Sequence, residues 1–157
     1  MAVKLSVALL TLTVPFLPAV VMADPTEEER SAGAPLDADY AIGKQAIELK
    51  DWNTAIRALS AAAQRNTGNA DLQNYLGYAY RNTGRLDVAF KHYERALQLN
   101  PQHRGAHEYI GEAYLMVNNL AKAEEHLAAL RKICLTPCEE HDDLAKAIAD
   151  YRRRVGK

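Results

Sequence analysis

The sequence predicts an all-α fold, a solenoid of three helical hairpins closed by a capping helix at the C-terminal end. Three observations predict it. Aligning Gly43, Gly77 and Gly111 brings three blocks into register at a spacing of 34 residues, a period at which each repeat is one helical hairpin. The register holds in other columns, with Ala55, Ala89 and Ala123 in one, Trp52, Leu86 and Leu120 in another, and Leu59, Tyr93 and Leu127 in a third. The composition, 48% apolar and 25% charged, is that of one folded unit with enough apolar residues for a core.

Residues 1–23 read differently. Lys4 is the only charge before Asp24, Leu5 to Val21 is almost wholly apolar, and Val21-Met22-Ala23 ends the run on small residues. A short positive start, an apolar middle and a small-residue end predict a secretory signal peptide cleaved after Ala23. The alternative is a retained membrane anchor, which Pro15 and Pro18 disfavour because they break a spanning helix. After cleavage no membrane segment is expected. Residues 24–35 (DPTEEERSAGAP) offer nothing to bury and predict a flexible spacer.

The hairpins occupy 36–69, 70–103 and 104–137. A glycine on the first helix of each block and an alanine on the second let two antiparallel helices approach closely. Between the helices lie breaks at Lys50-Asp51, Thr83-Gly84-Arg85 and Asn118-Asn119, where glycine and asparagine tolerate the left-handed backbone that ends a helix. Residues 138–157 are expected to cap the stack. Leu144 and Ala145 continue the Leu76-Gly77 column, and Leu144, Ile148 and Tyr151 make an apolar stripe at helical spacing. Thr136, Pro137 and Glu139 read as the start of this helix. Its acidic residues come early and its basic ones late, as the helix dipole favours.

Lysine plus arginine total 19 against 20 aspartates and glutamates, a balance that excludes a strongly basic nucleic-acid binder. There is no Gly-rich phosphate loop, no Gly-x-Ser-x-Gly elbow and no His-Glu-x-x-His, so neither catalysis nor a cofactor is expected. Cys134 and Cys138 are the only cysteines. In an exported chain a nearby pair is expected to form a disulfide, here a structural one fixing the angle of the cap. Two free thiols and a redox couple are the alternatives, although the three-residue spacing is not that of thioredoxin-like motifs. A metal site of Cys134, Cys138 and His141 with His126 or His107 is disfavoured, since scattered histidines on helical repeats are expected to be solvated.

On these columns the blocks resemble tetratricopeptide repeats. The middle one is the best match, with Leu76-Gly77 and Tyr80 on its first helix, Ala89, Tyr93 and Ala96 on its second, and Pro101 at its close. The outer blocks depart from the pattern, having Thr67 in place of the closing proline, Leu130 in place of alanine and Leu135 in place of proline. The chain is also similar to small exported bacterial tetratricopeptide proteins with a two-cysteine tail. The resemblance implies a right-handed solenoid whose concave surface is lined by the first helix of each hairpin. It places Tyr40, Asn74 and Glu108 in one row of that groove and Lys44, Tyr78 and Glu112 in the next, continued by Arg81, Asn82 and Met116. Tyrosines, amides and charges together suit an extended or helical peptide.

The family's carboxylate clamp is not reproduced: Lys44 sits where an asparagine belongs, Tyr75 and Tyr109 replace polar residues, and Glu108 and Glu112 are expected to repel an anion. The functional expectation is a non-catalytic scaffold in the periplasm, holding a protein or peptide of the cell envelope. The alternatives are a redox or metal-handling protein built on Cys134 and Cys138, and an architectural protein that forms homo-oligomers through an uncovered end at Tyr40 and Ile47.

Overall fold

The computed structural model describes residues 37–156; the predicted signal and spacer, and Leu36 at the head of the first block, lie outside the described residues. Within them the chain forms seven α-helices and no strand: α1 Ala38–Glu48, α2 Trp52–Arg65, α3 Ala70–Asn82, α4 Leu86–Leu99, α5 Arg104–Met116, α6 Leu120–Ile133 and α7 Glu139–Val155. Helices α1 and α2, α3 and α4, and α5 and α6 pair as antiparallel hairpins. The second helix of each of the first two hairpins packs on the first helix of the next, and α7 packs on both α5 and α6. The first helices also touch in succession, α1 on α3, α3 on α5 and α5 on α7, so they share one face.

Local sequence sets these boundaries. Asp51, Asn69 and Asn119 accept hydrogen bonds from the backbone N–H of Thr54, Leu72 and Lys122, each at 3.1 Å, which satisfies donors that a helix start leaves unpaired. The hairpin turns all end the same way. Lys50, Gly84 and Asn118 have φ of 56°, 76° and 58°, and the next residue's N–H in each case reaches back to the carbonyl five residues earlier: Asp51 to Ala46, Arg85 to Tyr80, Asn119 to Tyr114. Lys50 thus adopts a left-handed backbone without being glycine. The bond that closes its turn offsets a cost of about 1 kcal/mol.

The core runs the length of the stack. Its clusters are Leu59, Leu72 and Leu76 with Ala46, Ala55, Ala62 and Ala79; then Tyr93 and Ile110 with Ala89 and Ala113; then Leu115, Leu130, Leu144, Ile148 and Tyr151 with Ala123. One column shows how stacking buries it. Leu76, Ile110 and Leu144 are 1%, 2% and 0% exposed, each covered by the preceding hairpin, whereas Ile42 in the first block is 47% exposed. The uncovered end therefore presents Ile42, not Tyr40 and Ile47, which are half-buried against the first cluster.

Two further expectations need correcting. A Cβ at Gly43 or Gly77 would lie 2.5 Å from Leu59 or Tyr93 of the same hairpin, but at Gly111 the side chain in the way is Leu144 of α7, at 2.7 Å. Leu127, which continues the Leu59 and Tyr93 column, is only half-buried; the cap rather than the third hairpin's own second helix fills that slot. Thr136 does not start α7. The helix begins at Glu139 with Cys138 before it in extended backbone, φ −133° and ψ 147°, because Pro137 disfavours helical backbone at Thr136, the residue before it.

Candidate functional site

The shared face of α1, α3 and α5 carries a run of aromatic rings interleaved with cations. At its α1 end, Lys44 Nζ lies 5.7 Å from the Tyr40 ring centre and 5.9 Å from that of Tyr75, and the two rings are 6.0 Å apart. Further along, Tyr78 stands between Trp52 at 5.9 Å and Tyr109 at 4.8 Å. The Arg81 guanidinium lies 5.2 Å from Tyr78 and 5.3 Å from Tyr109, and it is ion-paired with Glu112 on the next first helix. Such cation–aromatic contacts hold the charged side chains in place while leaving ring faces for a ligand. Tyr75 and Tyr109, read from the sequence only as departures from the clamp, are thus structural members of this surface.

At its centre sit buried polar groups. Asn74 is 5% exposed and its Oδ1 has no hydrogen-bond partner among the described residues; the fully buried Tyr93 hydroxyl has none either. Gly105 makes room for the amide, since a Cβ there would stand 3.2 Å from Asn74 Nδ2. Glu108 is also buried. Burial pushes its carboxyl up to about 8, and the negative charges of Glu112, Asp143 and Glu140 push the same way against the opposing pull of Arg81. Glu108 is accordingly protonated at neutral pH, and Glu112 is compensated by Arg81. The expectation that these two glutamates repel an anion is corrected on both counts.

Asn82 is exposed and its amide donates to the Tyr78 carbonyl at 2.9 Å, so it ends α3 as much as it lines a surface. Met116, 53% exposed, stands apart from the aromatic run. It lies with Arg81 and Glu112 in a cleft of about 750 Å³ between the end of α5 and the last turn of α7. Eight of the nine residues assigned to the groove are therefore split among an aromatic face, this cleft and a buried pair, Asn74 and Glu108, while Asn82 stands apart at the end of α3.

Cys134 and Cys138 are joined by a disulfide beside a hollow of about 320 Å³ that His141 also lines. With both sulfurs bonded to each other, they are not thiolate ligands for a metal. Nor do the other suggested ligands converge there. His107 and His126 pair with each other, Nδ1 to Nδ1 at 2.9 Å. His141 is half-buried rather than solvated, with Nδ1 3.0 Å from Asp142 Oδ1.

The histidines form an arrangement that sequence reasoning missed. Gln73, Tyr80 and His92 recur one period later as His107, Tyr114 and His126. In the second hairpin, His92 stacks on Tyr80 at 5.3 Å and bonds Gln73 at 2.8 Å; in the third, His126 stacks on Tyr114 at 5.7 Å and bonds His107. His107 Nε2 donates to the Pro101 carbonyl at 3.0 Å, so in the neutral ring its Nδ1 accepts, and the His126 Nδ1–H is the donor. Burial lowers all three pKa values, that of His126 to about 4 with help from His107. The signal was available as a shared repeat position, but each histidine taken singly looked like a surface residue.

Among the described residues no helix is long and apolar enough to cross a membrane. The tetratricopeptide repeat family model matches residues 70–103. Human protein O-mannosyl-transferase TMTC3 is 32% identical over 75 residues, which cover 48% of this chain but 8% of that protein; the chain thus spans less than a tenth of the length of this relative. Among solved structures, the TPR2B domain of yeast Sti1, in its complex with an Hsp70 peptide, superposes with a TM-score of 0.68 at 18% identity, covering 74% of this chain and 94% of that one. The Yersinia enterocolitica type III secretion translocator chaperone SycD superposes with a TM-score of 0.67 at 13% identity, covering 85% and 90%. At such identities the likeness is one of fold. The middle block thus matches as a tetratricopeptide repeat, and the helical hairpins on either side of it stack in the same way.

Proposed function

We propose that the protein is a non-catalytic scaffold that binds a protein or peptide segment along the face of α1, α3 and α5. The observation that carries this reading is the continuous surface from Tyr40, Lys44 and Tyr75 to Tyr78, Arg81 and Tyr109, with the unpartnered Asn74 amide oxygen beneath it. Rings supply apolar area at low entropic cost, and the cations held beside them can pair with polar groups of an extended ligand. The fold supports the reading, since superposable domains include one solved with an Hsp90 peptide and SycD with a peptide of the translocator YopD. The transferase named among the relatives aligns over too small a part of its length to bring an activity with it.

The place of action in this proposal is an exported compartment, the periplasm, and the partner an envelope protein. Support comes from the apolar start of the sequence and from the disulfide, a bond that persists outside the reducing cytosol.

Selection from a displayed random-peptide library against the purified chain tests the binding reading. Enriched peptides should lose affinity for Tyr78→Ala and Lys44→Ala while the far-side variant Arg95→Ala binds normally, all three retaining wild-type helical circular dichroism. Failure to enrich any peptide, or enrichment indifferent to Tyr78 and Lys44, would refute it.

A further inference from the structure

The cleft at the end of α5 exists because α7 breaks the repeat. The left-handed residues Lys50, Gly84 and Asn118 end α1, α3 and α5 at equivalent places, and one more period falls on Arg152. No glycine or asparagine stands there, and α7 runs on to Val155. Its extra turn overhangs the end of α5 and makes a second wall that the inner hairpins lack.

The result is an apolar bed with a charged rim. Leu115, Ala147 and Tyr151 form the floor, and Met116 and Val155, two of the chain's exposed large apolar residues, form the sides. Of the charges around it, Glu112 is paired with Arg81 and Asp150 with Arg153. Arg154 has no ion partner among the described residues and rests 5.9 Å from the Tyr151 ring. The uncompensated charge at the rim is therefore positive, and about 750 Å³ is ample for a bulky side chain.

We propose that this cleft is a second subsite for the ligand of the first-helix face, taking a segment in which a large apolar side chain lies next to an aspartate or glutamate. The apolar side chain fills the bed beside Met116, a flexible and polarizable residue that adapts to differently shaped partners. The neighbouring carboxylate pairs with Arg154. The carboxylate is one on a side chain flanking the residue in the bed, because Arg154 is exposed at the rim rather than enclosed in the cleft. This inference rests on the scaffold reading and adds the chemistry of its ligand.

The test is an array of acetylated peptides carrying leucine beside glutamate, glutamine or lysine, all amidated except for a second glutamine series left with a free C-terminal carboxylate, probed with the full chain. The glutamate series should bind about tenfold more tightly than the lysine series, and Arg154→Glu should invert that preference. Met116→Asp should weaken all series. Both variants change exposed side chains, and melting curves check their folding. A preference that Arg154→Glu leaves unchanged overturns the proposal, as does equal binding by glutamine peptides ending in a free carboxylate. Retention that depends on Tyr78 and Lys44 but not on Arg154 or Met116 removes the cleft while leaving the scaffold reading standing; retention of no peptide removes both.

Discussion

Gly77 lies against Tyr93 so closely that a Cβ on it would stand 2.5 Å from the ring's Cε1. Tyr93 is fully buried and cannot swing aside. Gly77→Ala should therefore cost about 1–3 kcal/mol and Gly77→Leu more, through overpacking of the second hairpin. Urea denaturation measures it. The exposed Gly68, where an added methyl group would meet nothing within 4 Å, is the control, and Gly68→Ala should change stability little.

Glu108 ties stability to pH. Its folded pKa, pushed up to about 8, lies above the unfolded value, so the folded state holds the extra proton between roughly 4.5 and 8. Its contribution is fully present below about 4.5 and is lost as pH rises through 8. Glu108→Gln removes this slope. The variant should match the parent near pH 5 and exceed it by about 1 kcal/mol or more near pH 9, which denaturation midpoints across that range would show.

How much of this was legible in the sequence depends on whether a feature follows the repeat period. The hairpins and their left-handed turns do, so even Lys50 could be placed from register although its residue type argues against it. The Arg81–Glu112 pair does not. Its members occupy different repeat positions, and they meet because α3 and α5 lie side by side. Burial of Glu108 was equally hidden, since its position reads as groove-lining and only the packing of α7 near it shows otherwise. The overrun of α7 is a failure of the period itself: the missing glycine or asparagine at Arg152 was visible, but the wall it creates depends on where the helix docks.

The His107–His126 pair should make the third hairpin acid-sensitive. His126 titrates at about 4 in the fold against 6.5 unfolded, so its contribution is present above about 6.5 and lost as pH falls through 4. Glu108 slopes the other way over part of that window, and the comparison is cleanest in Glu108→Gln. There, His126→Asn keeps an N–H donor toward His107 but cannot titrate. It should flatten the fall in denaturation midpoint between about pH 6.5 and 4. An unchanged slope would mean that His126 is as solvated as an ordinary surface histidine.

The disulfide acts on one element. It closes a short loop between the end of α6 and the start of α7, for which chain entropy predicts about 2 kcal/mol of stabilisation. Replacing both residues, Cys134→Ser with Cys138→Ser, should cost about that much. Because α7 docks through Leu144, Ile148 and Tyr151 and fills the slot at Gly111, the loss should appear first as faster amide exchange across α7. Protection in α3 and α4, which pack on each other and not on α7, should fall only with global stability. If exchange quickened uniformly from α1 to α7, the bond would be supporting the whole solenoid rather than its cap.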